Sequence, residues 1–320
     1  MKKSTKLFLI LGAAVVVLGI AAGFAFGWGY SPSDYSYHEF ELEEAPTDTG
    51  DFTAVTVSTS SLHVNIYASS DKCITLSSSG TFADERVDIS YDGGTLRITE
   101  KPLSALHKLV AAEDAYLYIR IPYKWAGSLT VSSESGAVYL NDLEIPSSPI
   151  DISVDSGYIS ANRVTASEAK FTSSSGGISV SDFYAGTLTA ESDSGYIMLG
   201  KLHTDSASLT AESGMISVEN STLTDTLALS TRSGYMRLDT VDAPSFTAES
   251  TSGDLDFESL DTNAFSFTSS SGDLTGRLLY ADEFAVSVST QSGEISGISD
   301  TPDGERTFTA ETVSGNITIR

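Results

Sequence analysis

Apolar and polar residues alternate along most of the chain after residue 128, and the alternation recurs every 19–22 residues. Each period contains a Ser-Gly pair, with apolar residues seven and five positions before the glycine and two and four positions after it. Phe265 and Phe267 show the first half of this pattern, and Ile317 and Ile319 show the second. Because strict alternation indicates β-strands, each period predicts two short strands that meet at the Ser-Gly pair.

The glycine of each pair marks a corner between strands. A sharp bend commonly needs a positive φ angle, which glycine adopts at little cost and other residues do not. Ser, Thr or Ala mostly lies three positions earlier, where a small side chain can bond to the backbone of adjacent repeats. We therefore predict structural corners rather than binding positions at Gly136, Gly157, Gly176, Gly195, Gly214, Gly234, Gly253, Gly272, Gly293 and Gly315.

A further apolar residue lies seven positions after most of the corner glycines. It predicts a third inward contact on each repeat, which widens the apolar surface that a neighbouring repeat can cover. This position is occupied by Leu143, Val164, Phe183, Leu202, Val241, Leu260 and Leu279.

A unit of about 20 residues cannot bury its own apolar side, whereas a stack of such units can. Propeller blades repeat at about 40 residues or more, and the leucine-rich pattern is absent. The expected fold is therefore all-β: a parallel β-solenoid of about ten laps over residues 129–320, with strands about 4.8 Å apart.

Residues 51–128 follow the pattern loosely and are interpreted as an N-terminal cap with degenerate first laps. Residues 52–67 resemble one lap in which Ser60-Ser61 replaces the Ser-Gly pair. Residues 87–98 predict a hairpin around Gly-Gly, and residues 102–112 have the apolar spacing of a short helix. Such a cap is expected because the open end of a strand stack would recruit other chains.

The N-terminus predicts a membrane anchor. Residues 1–6 contain three lysines, and residues 7–30 contain no charged side chain. This apolar run is long enough to cross a bilayer as a helix. The lysines place residues 1–6 in the cytoplasm and all that follows residue 30 outside it. Residues 31–50, acidic and proline-containing, are interpreted as a stalk, with an ordered first strand as the alternative.

Two further readings of the anchor follow from its sequence. Gly23-Phe24-Ala25 would suit a signal peptidase, but the apolar run exceeds the 7–15 residues typical of a cleaved signal. Gly19, Gly23 and Gly27 share one face of the predicted helix, a spacing that can pair two helices into a homodimer. Ordinary glycine usage in a membrane helix is the alternative.

Several of these features resemble the "putative adhesin" family, a domain of unknown function found in Gram-positive bacteria. They are the lysine-rich start with its apolar run, the Ser-Gly-x-(Ile/Leu/Val) repeats and the segments 92–98, 116–122 and 274–279. The resemblance covers essentially the whole chain and implies a surface-binding role without catalytic residues. Many members carry Thr-Gly-Asp at the corner, where this chain carries Ser-Gly-x, which weakens any expectation of an acidic ligand row.

Composition excludes several classes of function. There are 18 Lys and Arg against 43 Asp and Glu, a net charge of −25, and nucleic-acid binding requires a basic surface instead. The single cysteine, Cys73, excludes a disulfide framework and cysteine-based zinc sites. No phosphate loop, catalytic triad or helix-borne metal motif is present, so no cofactor is predicted.

Two outward rows carry candidate chemistry, both at the position after the corner glycine. Tyr158, Tyr196 and Tyr235 would lie on one edge at every second lap, about 9.6 Å apart, where they can stack on sugars or pack against a partner. The alternative is that they shield strand edges.

Asp254, Asp273 and Glu294 would follow on three consecutive laps of the same row. Parallel β-helix enzymes that cleave acidic polysaccharides bind calcium through such carboxylate clusters. Three carboxylates on a flat edge supply too few of the six to eight oxygen ligands that calcium takes, so this row predicts weak, millimolar calcium binding at most.

Together these features predict a membrane-anchored, extracytoplasmic β-solenoid that serves as a structural or binding module at the cell envelope, in adhesion or stress sensing. A cell-wall polymer or a surface protein is the expected partner. The alternative function is a polysaccharide lyase or hydrolase.

Overall fold

The computed structural model describes residues 35–40, 52–81, 83, 85–102 and 115–320. These residues form one coiled sheet of 22 strands, and the helical structure among them is limited to a 3₁₀ helix at Ala281–Glu283. The N-terminal strands are β1 (Tyr35–Phe40), β2 (Ala54–Thr59), β3 (His63–Ser69), β4 (Thr75–Thr81), β5 (Val87–Asp92), β6 (Thr95–Glu100), β7 (Tyr116–Pro122) and β8 (Ser128–Ser133). The central strands are β9 (Val138–Val154), β10 (Ile159–Ser173), β11 (Ile178–Ser192), β12 (Ile197–Ala211) and β13 (Met215–Thr231). The C-terminal strands are β14 (Tyr235–Asp242), β15 (Ser245–Ser250), β16 (Leu255–Asp261), β17 (Ala264–Ser269), β18 (Leu274–Leu278), β19 (Phe284–Thr290), β20 (Ile295–Ser296), β21 (Arg306–Thr312) and β22 (Ile317–Ile319).

The central strands each follow most of one lap and pair in parallel with the next. Ile159 lies beside Ile178, and Ile178 beside Ile197, so that equivalent residues of successive laps form columns. Every second side chain is buried, and the buried set forms one continuous hydrophobic core. The prediction of an all-β parallel β-solenoid of about ten turns is confirmed.

The third inward position is occupied as predicted on most laps. Leu143, Val164, Phe183, Leu202, Val241 and Leu260 are fully buried. The prediction is wrong for Leu279, which is partly exposed, whereas Leu278 is buried beside Leu260. The register between β16 and β18 shifts after Phe257, so the inward position on this lap comes one residue earlier.

The corner glycines are required for a different reason from the one predicted. None of the ten has a positive φ angle. Instead, each lies against the preceding lap of the stack, where an added Cβ would come within 1.5–2.2 Å of a backbone carbonyl oxygen. The glycine N–H commonly donates a hydrogen bond to the hydroxyl three residues earlier, as Gly176 does to Ser173 at 2.9 Å. The hydroxyl therefore bonds mostly within its own corner, and on two laps it also bonds to a neighbouring lap as predicted, since Thr290 Oγ1 donates to the carbonyl of Gly315 at 3.0 Å and Thr312 Oγ1 to that of Gly272 at 3.4 Å.

A second corner lies six residues after the glycine, and there the backbone is left-handed although the residue is not glycine. On seven successive laps the φ angle at this position is 49–55°. The residues are Asp142, Arg163, Asp182, Lys201, Asn220, Thr240 and Ser259. Asn and Asp tolerate this conformation better than other residues, so the strain is uneven along the column.

The N-terminal cap contains more regular structure than the sequence indicated. β6 and β7 form a lap outside β2 and β3, and the antiparallel strands β5, β4 and β1 cover its edges. The predicted hairpin at residues 87–98 is confirmed by the β5–β6 pairing and the positive φ angles of Gly93 and Gly94. The proposed helix at residues 102–112 lies largely outside the described residues.

The first corner is displaced by one residue from the predicted Ser60-Ser61. Gly136 faces the carbonyl of Leu62, as Gly157 faces that of Gly136, so Leu62 occupies the glycine position. The Glu100 carboxylate takes the place of the carbonyls of a further lap: its Oε2 accepts hydrogen bonds from the N–H groups of Ser60, Ser61 and Leu62 at 2.7–3.0 Å.

The last lap does not continue the order of the stack. β21 lies between β17 and β19, and the ring of Phe308 stacks on that of Phe265 with centroids 4.3 Å apart. The returning chain closes the outer edge of β19, because Val288 donates its N–H to Asp300 Oδ1 at 2.8 Å. An open edge would be a site for pairing with other chains, so this closure serves the role expected of a cap.

In the part of the chain that the structure describes, no helix has the length and apolar character needed to span a bilayer. The predicted anchor at residues 7–30 and most of the predicted stalk lie outside that part.

Candidate functional site

The strand segment after each corner glycine has an inward and an outward side. Residues two and four positions after the glycine are buried, so residues one and three positions after it face outward. On five of the six laps between Gly136 and Tyr235 these outward positions carry aromatic or methionine side chains, which together we call the tyrosine face. The tyrosine face consists of Tyr139, Tyr158, Tyr196, Met198, Met215 and Tyr235.

Tyr158 and Tyr196 lie two laps apart, yet their rings are in contact, with centroids 6.4 Å apart and planes inclined at 51°. Gly177 occupies the lap between them, and the ring of Tyr196 lies across it: a Cβ on Gly177 would be 2.4 Å from Cζ of Tyr196. The missing side chain thus lets Tyr196 reach Tyr158. Burial, together with the interaction with Tyr158, raises the pKa of the Tyr196 hydroxyl.

Tyr235 has different neighbours. Met215 lies beside it on the preceding lap, and its hydroxyl donates a hydrogen bond to Asp256 Oδ2 at 3.0 Å. Burial and then this hydrogen bond raise the pKa of the Tyr235 hydroxyl. The structure therefore brings Tyr158 and Tyr196 together and places Tyr235 at the junction between the methionines and the acidic residues that follow.

The tyrosine face includes residues that the sequence reasoning missed. Tyr139 lies 6.5 Å from Tyr158 between ring centroids. Met198 and Met215 are 43 % and 37 % exposed; Met198 lies on the same lap as Tyr196, and Met215 lies between Tyr196 and Tyr235. Their position one or three residues after a corner glycine would have identified all three. His63 and Tyr116 extend the column toward the N-terminus, with ring centroids 5.1 Å apart. Their laps lack a Ser-Gly pair, so no sequence signal marked them.

The predicted acidic row does not lie on three consecutive laps. Because the last lap is inserted into the stack, Asn316 lies between Asp273 and Glu294. Asp254 Oδ1 accepts a hydrogen bond from the N–H of Asp273 at 2.8 Å, and Asp273 Oδ1 accepts one from the N–H of Asn316 at 2.7 Å. Asn316 Oδ1 in turn accepts one from the N–H of Glu294 at 2.9 Å. The side chains of Asp254, Asp273 and Asn316 thus accept hydrogen bonds from backbone N–H groups on neighbouring laps.

These contacts do not favour a calcium centre. Calcium takes six to eight oxygen ligands, and Asp254 and Asp273 each already use one oxygen for a backbone donor. Among the described residues, no three His, Cys, Asp or Glu side chains are grouped so that they could hold a metal ion. The contacts therefore give no support to the calcium-dependent lyase that the row suggested.

The stacked laps, the close-packed corners and the covered ends define a class of protein, the capped parallel β-solenoid, whose outward columns are available for binding. The family model described as Toastrack DUF4097 matches residues 52–255 and 185–320. The chain belongs to this family. None of the curated proteins compared with it matches.

Three solved structures are similar to this chain over 89 % of its length. A "Putative lipid binding protein" from Parabacteroides distasonis is 14 % identical, with a TM-score of 0.46 and 96 % of its own chain covered. A "putative adhesin" from Bacteroides fragilis is 12 % identical, with a TM-score of 0.43 and 96 % covered. A "putative cell adhesion protein" from Clostridium sporogenes is 8 % identical, with a TM-score of 0.29 and 98 % covered.

Proposed function

We propose that this protein is an extracytoplasmic β-solenoid, anchored in the cell membrane by residues 7–30, that binds a protein partner at the cell envelope through the tyrosine face. The observation that carries the proposal is the tyrosine face itself. On an acidic chain rich in Ser and Thr, it gathers four tyrosines and two methionines on one side of neighbouring laps.

The composition of this surface fits a protein partner. Tyr and Met are enriched at protein–protein interfaces, where Tyr supplies a large apolar ring with a polar end. Met adapts its shape to the surface that it contacts. Tyr196, Met198, Met215 and Tyr235 are each between 37 % and 43 % exposed, so they keep apolar surface that a partner can cover.

The acidic residues around the tyrosine face restrict the kind of partner that can bind there. The column continues from Tyr235 into Asp254 and Asp273, and Asp256 lies against the Tyr235 hydroxyl. The net charge of −25 adds a repulsion toward polyanions. A partner with apolar side chains and a basic rim is therefore favoured over an anionic cell-wall polymer.

Site-directed photo-crosslinking in intact cells tests the binding surface. A benzophenone amino acid replaces Met198 or Met215 on the tyrosine face, or Ser208 or Thr210 on another exposed side of the same region. We expect the two face positions to capture the same protein and the two control positions not to. Equal capture from both sides of the solenoid would contradict the proposed surface.

Protease treatment of intact cells tests the anchor and the orientation. A C-terminal tag on the full chain is expected to be removed by external protease and to stay in the membrane fraction without it. Replacing Gly23 by Ile is expected to abolish a membrane two-hybrid signal if Gly19, Gly23 and Gly27 pair two chains. A tag protected from protease would reverse the proposed orientation.

A further inference from the structure

A second candidate site lies around the left-handed corner, on a side of the solenoid that the tyrosine face does not include. It is a shallow groove of about 480 Å³, which we call the corner groove. Exposed tyrosines stand at its two ends, Tyr123 at 52 % and Tyr184 at 46 % exposure. No prediction from the sequence included either residue.

The register of the laps explains why a groove forms here. Glu144, Thr165 and Tyr184 lie beside one another on three consecutive laps, and the N–H of Lys124 bonds to the carbonyl of Glu144 at 2.8 Å. The column therefore runs from the ring of Tyr123 over two shorter side chains to the ring of Tyr184. The shorter side chains leave the space between the rings open.

Tyr184 is held in place from behind. Its ring stacks on the imidazole of His203 on the next lap, with centroids 4.6 Å apart and planes inclined at only 10°. One ring face is thus covered by His203, and the opposite face is turned toward the lap of Thr165. A ring supported on one face is a rigid surface for stacking, because a ligand need not immobilise it.

The polar lining of the corner groove carries three carboxylates, Asp142, Glu144 and Asp182, and one guanidinium, Arg163. Asp142, Arg163 and Asp182 are the left-handed residues of three consecutive laps, and Arg163 forms a two-pronged ion pair with Asp142, with Nη2 to Oδ2 at 2.8 Å. The hydrogen bond from Arg163 holds the pKa of Asp142 below its usual range. Lys201 lies 3.8 Å from Asp182 and completes an alternating row of charges.

We propose that the corner groove binds a neutral carbohydrate, one or two sugar units of a longer glycan. The two rings suit the apolar faces of sugar rings, and the paired carboxylate and guanidinium suit neighbouring hydroxyl groups as acceptors and donors. The volume falls within the range of small-molecule sites, about 300–1,000 Å³. The three carboxylates of the lining and the net charge of −25 disfavour an anionic sugar.

The test measures binding of cellotetraose and of tri-N-acetylchitotriose to the full-length chain, kept in a detergent without a sugar headgroup. Nuclear magnetic resonance of ¹³C-labelled tyrosine follows the ring signals, which are assigned by Tyr→Phe substitution. We expect at least one neutral oligosaccharide to shift the signals of Tyr123 and Tyr184. Tyr184→Ala is expected to weaken binding about tenfold, and His203→Ala by a smaller factor. Trigalacturonate, the acidic comparator, is expected to cause no shift.

The matched control is Tyr196→Ala, which removes an exposed tyrosine from the tyrosine face and is expected to leave sugar binding unchanged. Conversely, Tyr184→Ala should leave the photo-crosslinks at Met198 and Met215 intact, so the two proposals fail separately. The carbohydrate proposal is overturned if neither neutral sugar shifts the two signals up to about 10 mM. It is also overturned if trigalacturonate binds as well as they do, or if Tyr184→Ala, shown to be folded by circular dichroism, binds normally.

Discussion

The ring of Tyr196 lies across the backbone of Gly177, on the lap that separates it from Tyr158. A Cβ on Gly177 would lie 2.4 Å from Cζ of Tyr196 and 2.7 Å from both Cε atoms. Tyr196 therefore rests on bare backbone, and its contact with Tyr158 depends on a residue that has no side chain. Two tyrosines that occupy the same position of the repeat, two laps apart, thus form an aromatic pair.

Gly177→Ala tests this dependence. The added methyl group is expected to displace the Tyr196 ring from Tyr158. Because burial and the Tyr158 interaction raise the pKa of the Tyr196 hydroxyl, the displacement should lower that pKa toward its ordinary value. A pH titration of the Tyr196 signal, monitored by nuclear magnetic resonance of ¹³C-labelled tyrosine, measures the change.

Gly200→Ala is the matched control, because Gly200 lies on the same lap as Tyr196. The nearest atom to its added Cβ is 4.0 Å away, so no displacement is expected. An unchanged Tyr196 titration in Gly177→Ala would show that the ring is not held by this arrangement.

Gly195 tests why the corners require glycine. A Cβ there would lie 1.8 Å from the carbonyl oxygen of Gly176, so Gly195→Ala is expected to lower the free energy of unfolding by about 1–3 kcal/mol. Gly195→Asn distinguishes the two explanations, because Asn tolerates a positive φ angle but not this contact. Thermal unfolding measures both variants. An Asn variant as stable as the wild type would favour the positive-φ explanation.

The environment of the Glu100 carboxylate predicts that the N-terminal end of the solenoid is less stable at acidic pH. Burial raises the pKa of this carboxyl, but hydrogen bonds from the N–H groups of Leu62 and Ser61 and from the Arg86 guanidinium lower it by a larger amount. The pKa of Glu100 is therefore below its usual value. A lowered folded-state pKa stabilises the protein above the unfolded pKa, and this contribution is lost as the pH falls through the folded value.

Glu100→Gln should therefore be less stable than the wild type at neutral pH, and the difference should shrink below pH 4.5, the ordinary value of the carboxyl. Chemical unfolding at a series of pH values measures this difference. Glu249→Gln, on an outward strand position, serves as the control. A difference that stays constant with pH would mean that Glu100 does not act through its charge.

Thr240 marks strain in the left-handed corner. It is β-branched with φ at 55°, whereas Asn220 holds the same position on the preceding lap at 49°. A left-handed β-branched residue is an unfavourable choice, so Thr240→Asn is expected to raise the free energy of unfolding by about 1 kcal/mol. Denaturant unfolding checks the value, with Ser259→Asn expected to gain less. A destabilised Thr240→Asn would show that Thr240 makes contacts that outweigh its strain.

Asp273 tests the structural role of the acidic row. Its Oδ1 accepts the N–H of Asn316, an acceptor that Asn can also supply, as Asn316 does for Glu294. Asp273→Asn should therefore retain stability, and Asp273→Ala should lose about 0.5–1.5 kcal/mol. Calorimetry with calcium is the second measurement. A micromolar site that is lost in Asp273→Asn would restore the calcium proposal and with it the lyase.

The repeat made most of the fold predictable from the sequence. Strict alternation around each Ser-Gly pair identified buried positions such as Val164 and Phe183, and a period near 20 residues left stacking as the way to bury them. The candidate site was only partly predictable. Tyr158, Tyr196 and Tyr235 followed from their place after the corner, whereas Tyr123 and Tyr184 belong to a groove that depends on three laps being in register.

The sequence by itself determined the strands beside each Ser-Gly pair, the inward and outward sides of most laps and the parallel stacking, because alternation and repetition are local properties of the chain. Only the tertiary structure decided the order of the last laps, since β21 and β22 could stack on either side of β19 and β20 without changing their own pattern. It also decided the role of the corner glycines. The distance from Gly195 to the carbonyl of Gly176 depends on how closely two laps approach, and no single lap contains that information.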